Sequence, residues 1–227
     1  MKKVYRVFFL LIILIIVSTF NPNKLDIAFN KKNSFFKIKK IEIINNSIIK
    51  KSEIQKKLNK IYDKNIFFIQ NEELTLPLKE INFFNKVKVK KKYPDTIVVE
   101  IFETKPVAIL FKKKTKYILD SSSNLIAFNN DINLDGLPNV FGENAQNNFL
   151  IFLDLLLKNN FPSEKVKNFY FFQIGRWDIQ LINNKVIKFP YNNAEKAIIK
   201  SVKLLDRKDF ENYNIIDLRV ESKIIVE

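Results

Sequence analysis

The 227-residue sequence contains no cysteine, no histidine and only three glycines. The first two absences exclude disulfides, thiolate nucleophiles, thiolate and imidazole metal ligands, and imidazole acid–base chemistry. A chain without cysteine also needs no particular redox compartment. Arginine is scarce: Arg6, Arg176, Arg207 and Arg219 stand against 35 lysines. The net charge of +15 would alone suggest nucleic acid or an anionic membrane. Lysine, isoleucine, asparagine and phenylalanine are abundant along the whole chain, however, so lysine is the default exposed residue and the charge is not read as a nucleic-acid surface. An arginine or glycine kept against that bias has a stronger claim to a physical role. Gly136, Gly142 and Gly175 all fall near candidate turns in the second half. With 47% hydrophobic residues, the chain can build a packed core.

Catalytic patterns are missing too. Ser121-Ser122-Ser123 has no histidine to act as its base, and a Ser–Lys pair with Lys112-Lys113-Lys114 would need a buried lysine. Asp131 and Asp135 fit turn residues ahead of Gly136. No nucleotide-binding loop, nucleophile elbow or metal-ligand spacing occurs. The chain reads as a binding protein rather than an enzyme, with no cofactor, no metal, no nucleic acid and no small-molecule substrate.

The N-terminus is what is conspicuously present. Lys2, Lys3 and Arg6 precede an unbroken apolar run over residues 7–17, and the next charge is Lys24. Counted from Val4 to Phe20 the segment has 17 residues, at the short end for a spanning helix. Basic residues before it place residues 1–3 in the cytoplasm and the bulk outside. A cleaved signal peptide is the competing reading. Ser18-Thr19-Phe20-Asn21-Pro22 lacks the small-residue cleavage pattern, which favours a retained signal anchor over residues 4–20. Residues 21–34 then form a linker.

Residues 35–104 read as a β-α-α-β-β module. Lys40-Ile41-Glu42-Ile43 alternates as a strand. Ser52 and Gln55 form a capping-box pattern, followed by Ile54, Leu58 and Ile61 on one helical face. Asn71 caps a second helix carrying Leu74, Leu78 and Ile81, and Pro77 either kinks it or marks its start. Lys86-Val87-Lys88-Val89-Lys90 alternates strictly, turns at Tyr93-Pro94-Asp95, and returns through Ile97, Val99 and Ile101 as a hairpin. Two readings fit the lysines of residues 86–92: a surface for an acidic partner or anionic headgroups, or the solvated face of an amphipathic strand.

Residues 105–227 read as a mixed β domain with antiparallel strands and two helices. Strands are expected over residues 106–110, 117–120, 125–128, 166–174, 176–181, 185–189 and 215–219, with a short extended segment at 137–142. One helix is expected over residues 143–159, with Leu150, Leu153, Leu156 and Leu157 inward. A second begins at Asn193, and Ile224-Ile225-Val226 closes the chain. The whole is an α+β protein with one N-terminal transmembrane helix.

Five motifs, in order, carry a resemblance. Tyr93-Pro94-Asp95-Thr96 running into Glu103-Thr104-Lys105-Pro106-Val107-Ala108 is similar to the hairpin junction of the bacterial FtsQ/DivIB family. Tyr117-Ile118-Leu119-Asp120 with Leu125-Ile126, Leu137-Pro138-Asn139-Val140-Phe141-Gly142, Gly175-Arg176-Trp177-Asp178-Ile179 and Ile216-Asp217-Leu218-Arg219 follow in the family's order. Asn124 stands where the family usually has glycine. The resemblance implies a POTRA domain over the first module and the family's β domain over the second. It implies a non-enzymatic scaffold of the division machinery (divisome), a single-pass inner-membrane protein with its bulk in the periplasm, concentrated at the septum. It also implies FtsB- and FtsL-like partners bound through the β domain and other division proteins through the POTRA domain. The implied mode is β-augmentation, a partner strand adding to a free sheet edge. On that basis Val220, Glu221, Ser222, Lys223, Ile224 and Ile225 are the expected edge, with Arg176 and Arg219 meeting partner carboxylates; pairing of these arginines within the domain is the alternative. The rival family is another POTRA-bearing envelope protein, of outer-membrane assembly or secretion.

Overall fold

A computed structural model describes residues 2–19, 36–129 and 132–227. Helix α1 runs Lys2–Thr19, and its apolar side chains from Val4 to Val17 are 41–72% exposed. Among the described residues no helix is long and apolar enough to cross a membrane. Eighteen residues rising 1.5 Å each reach about 27 Å, a little under the roughly 30 Å hydrocarbon core. Phe20, expected to end the span, the 21–34 linker and Asp131 lie outside the described residues.

The chain divides into two compact units, residues 1–46, 50–81 and 86–101 in one, and residues 47–49, 82–85 and 102–227 in the other. The first contains β1 (Lys40–Ile44), α2 (Lys51–Lys57) and α3 (Asn71–Thr75), and most of β2 (Phe84–Lys92) and β3 (Thr96–Glu103). The three strands lie in the order β1-β3-β2, with β1 parallel to β3. Alternation decides the buried face: Ile41, Ile43, Ile97, Val99 and Ile101 point inward. The helical residues Ile54, Leu58, Ile61, Leu74, Leu78 and Ile81 are buried as their spacing predicts.

Helix ends depart from expectation. Ser52 lies inside α2, whose N-cap is Lys50 with no side-chain cap bond, so the expected Ser52–Gln55 box does not form. The second helix is capped one residue early: the Gln70 amide donates to Glu73 Oε1 at 3.2 Å, and Asn71 is the first helical residue. Pro77 shortens this helix. α3 ends at Thr75, and Leu76–Glu80 tightens into a 3-10 turn that takes the proline near its start, where the absent N–H costs nothing.

The second unit holds a nine-stranded mixed sheet in the order β12-β11-β10-β9-β8-β7-β4-β5-β6. Its strands are β4 (Pro106–Lys112), β5 (Thr115–Asp120), β6 (Leu125–Ala127), β7 (Asn139–Phe141), β8 (Val166–Phe172), β9 (Arg176–Leu181), β10 (Val186–Lys188), β11 (Ile215–Asp217) and β12 (Ile225–Val226). The β4–β7, β7–β8 and β10–β11 pairs are parallel, so the sheet is less uniformly antiparallel than expected. α4 (Phe149–Lys158) and α5 (Ala194–Leu205) contribute to the same core as Leu110, Val140, Phe169, Trp177, Ile179, Ile187 and Ile216.

α4 starts later than expected because Asn144 sits at φ +62° and only a 3-10 turn, Ala145–Asn147, precedes it. Its buried face is also displaced by a residue. Phe149, Phe152 and Leu156 point inward, whereas Leu157 is 54% exposed. The aromatic rings settle this choice: Phe152 stacks on Trp177 at 5.1 Å and 6°, and Phe149 meets Phe169 edge-on at 5.1 Å.

Two motif residues earn their place here. A Cβ on Gly142, at φ +123°, would lie 2.2 Å from the Phe171 carbonyl oxygen. Glu103 closes a loop: its carboxylate accepts the Ser47 hydroxyl at 2.7 Å and the amides of Ile48 and Ile49 at 2.9 and 2.8 Å, with the Ser47 amide at 3.0 Å. Burial pushes this carboxyl up, but those donors together outweigh it and hold Glu103 below the ordinary carboxylate range. The next residue, Thr104, donates its hydroxyl to fully buried Asp120 at 2.7 Å, and Asp120 also accepts the amides of Ser122 and Asn124. That Asx-type turn is what Asp120 supplies in its motif.

Candidate functional site

The sheet ends at β12, which pairs antiparallel with β11 through Ile216 opposite Val226 and Asp217 opposite Ile225. Among the described residues no strand lies on its outer side. The amide of Glu227 donates to the Ile215 carbonyl at 3.2 Å, and the Ile215 amide returns a bond to Glu227 at 3.0 Å. Because bonded and non-bonded positions alternate in an antiparallel ladder, the N–H and C=O of Val226 face away from the sheet.

This corrects the expected extent of the edge. Residues 220–224 do not extend β12. They turn, with the Lys223 amide donating to the Val220 carbonyl at 3.1 Å, and the strand is only Ile225–Val226. The reason is connectivity: the chain must reverse after β11 before it can pair back on it. Val220, Ile224 and Ile225 remain 47%, 36% and 45% exposed, Ser222 and Lys223 are exposed, and Glu221 approaches Lys196 of α5 at 3.4 Å. Val226, with the outward peptide group, was not among the expected contacts. The apolar run of residues 224–226 was the available signal.

Beside the edge lies a row of charges. Asp178 of β9 is opposite Lys188 of β10, which is opposite Asp217 of β11, which is opposite Ile225. Arg219 closes on Asp217: its Nε donates at 2.9 Å to both carboxylate oxygens, and its own amide donates to Oδ1 at 3.0 Å. Burial raises the Asp217 carboxyl, but the Arg219 bonds and the Arg219 and Lys188 charges overcome this and leave it lowered. The structure thus shows the intradomain pairing of Arg219, while its side chain stays 41% exposed.

Arg176 behaves differently. Its guanidinium lies 4.1 Å over the Phe172 ring. Its Nε comes within 3.3 Å of Asp178 Oδ1, yet both atoms are buried without a hydrogen bond. Burial pushes the Asp178 carboxyl up, opposed by the Arg176, Arg219 and Lys188 charges. Arg176, Asp178, Lys188, Asp217 and Arg219 therefore hold one cation in excess beside the free edge. A cavity of about 290 Å³ opens next to Arg219, lined by Tyr191, Lys196, Ala197, Leu218 and Glu221 among others. Such an arrangement offers main-chain hydrogen bonding and a place for an acidic side chain. Among the described residues no acidic cluster suited to a metal ion is present.

Residues 36–104 match the family model described as the FtsQ-type POTRA domain. The chain is 28% identical over 197 residues to the cell division protein FtsQ of Rickettsia typhi, covering 85% of this chain and 73% of that protein. It is 24% identical over 194 residues to FtsQ of Rhizobium meliloti, covering 85% and 63%, and 26% identical over 200 residues to the cell division protein DivIB of Clostridium tetani, covering 82% and 71%. The matched domain and relatives from three bacterial genera agree: residues 36–104 carry an FtsQ-type POTRA domain, and the chain is similar over more than four fifths of its length to the FtsQ and DivIB cell division proteins.

Proposed function

We propose that this protein is a non-enzymatic scaffold of the bacterial division machinery that binds FtsB- and FtsL-like partners by strand addition at β12. The observation that carries the reading is the free β12 edge with a cation-rich row beside it. The outward peptide group of Val226 supplies the backbone bonds, and Ile224 and Ile225 supply apolar contact. Arg176 and Arg219 receive a partner carboxylate, and Val220, Glu221, Ser222 and Lys223 form the turn that borders it. Arg219 is already engaged by Asp217, so it offers the partner its remaining donors rather than a free charge. Other division proteins bind through the POTRA domain, residues 35–104.

The protein is held at the inner membrane by residues 4–20, with residues 1–3 cytoplasmic and residues 105–227, the β domain, periplasmic. Support comes from the exposed apolar surface of α1 and the basic residues at its start. A helix a few ångströms short of the hydrocarbon core is accommodated by local thinning of the bilayer.

The test is binding of a peptide from an FtsB-like partner to Arg219→Glu and Val226→Pro. Both changes should weaken binding at least tenfold, while circular dichroism stays native. Unchanged affinity in both variants refutes strand addition at this edge. In cells, a fluorescent fusion should form a midcell ring; a uniform envelope signal contradicts the division reading.

A further inference from the structure

One tip of the first unit gathers exposed aromatic rings. Phe36 meets Phe67 edge-on at 4.8 Å, and Phe67 stacks on Tyr93 at 4.8 Å and 21°. Phe67 and Tyr93 nevertheless stay 47% and 54% exposed, and neighbouring Phe68 is 53% exposed. Lysines surround them. Lys91 Nζ donates to the carbonyls of Phe67 and Ile69 at 3.2 and 2.9 Å. Lys37 bridges to Asn65, the Lys39 amide donates to the Asp95 carbonyl at 2.9 Å, and Lys92 adjoins Tyr93. Of the nearby carboxylates, Glu73 is engaged by Lys64, Asp95 accepts the Thr96 hydroxyl, and Glu42 is shared between Lys40 at 2.7 Å and Lys92 at 3.6 Å, so it offsets part of the Lys92 charge.

We propose that this tip docks on the surface of an anionic phospholipid bilayer, with the rings at the headgroup boundary and the lysines on the headgroup phosphates. The proposal rests on the membrane-anchor reading given above. Aromatic rings favour the membrane–water interface, and lysines are drawn to an anionic leaflet. Both chemistries occur together at this tip. Seventeen residue steps separate Thr19, where α1 ends, from Phe36, and they cannot span more than about 60 Å. Lipid is therefore presented to the tip at the high effective concentration of a tethered ligand.

The test uses the full chain reconstituted in vesicles of phosphatidylcholine, alone or mixed with phosphatidylglycerol, with and without brominated acyl chains. Phe67→Trp and Tyr93→Trp are two separate probes, and buried Trp177 gives the same background in each. The proposal expects bromine to quench both probes in the anionic vesicles, and to quench them less in the neutral ones. Quenching should fall at 1 M salt, where the screening length drops from about 10 Å to about 3 Å. Lys39→Glu combined with Lys92→Glu should remove at least half of it. Protein that floats with the vesicles while both probes stay unquenched overturns the docking and leaves the anchor standing; that outcome points to a protein partner instead. Quenching that ignores salt and charge reversal overturns the assignment to anionic lipid. A chain that does not float with the vesicles overturns the anchor reading and this proposal together.

Discussion

Replacing Glu103 by alanine strands three backbone amides and the Ser47 hydroxyl that its carboxylate now accepts. Hydrogen bonds to a charged acceptor contribute about 1.5–3 kcal/mol each when buried, but this loop is partly wet and water replaces much of what is lost. A net cost of about 2 kcal/mol is expected. For a protein of this size that lowers the Tm by about 4–8 °C. Glu103→Gln keeps the shape but turns an amide NH2 toward the same donors, and should cost about 1–2 kcal/mol. The sign of the pH dependence follows from the lowered carboxyl. The stabilisation is present above the ordinary carboxylate value of about 4.3 and fades as pH falls through the lower folded value. Urea unfolding of wild type and Glu103→Gln at pH 7 and pH 3 measures it. The gap between them should narrow at pH 3. A gap that is absent at pH 7, or equally wide at both, refutes the reasoning.

Gly142→Ala meets the Phe171 carbonyl and a disfavoured φ together, and should lose more than about 2 kcal/mol in chemical denaturation. Lys185 is 7% exposed and its ammonium donates to the carbonyls of Phe210 (2.6 Å), Tyr213 and Glu211. Lys185→Met leaves those acceptors without their donor and should cost about 2–4 kcal/mol, read as a lowered urea midpoint. Phe152→Ala removes the ring stacked on Trp177 and should cost about 3–5 kcal/mol, with a changed tryptophan emission as its local signature.

The alternating strands were legible in the sequence because a two-residue period admits one buried face, and Arg176–Leu181 lies where its pattern put it. The face of α4 was not legible. Phe149 through Leu157 is apolar apart from Asp154, so spacing alone left several stripes open, and ring packing on Trp177 chose among them. Helix starts failed where local chemistry was outvoted: Ser52 had the right partner at the right spacing, but the helix begins two residues earlier, with Lys50 at the N-cap. At the edge, the closing apolar run does reach the outermost strand, through Ile225 and Val226. The turn over residues 220–224 was hidden, because Val220 and Ile224 have strand propensity and only the need to pair back on β11 forces the reversal. The role of Lys188 between Asp178 and Asp217 depends on strand register, which no single segment encodes.

Amide hydrogen exchange at Val226 tests the strand-addition account most directly. In the isolated protein its outward N–H should exchange quickly, while the Glu227 amide, bonded to Ile215, should be protected. Saturation with an FtsB-like peptide should protect Val226 strongly. A bound complex in which Val226 still exchanges as fast as in the isolated protein contradicts the account.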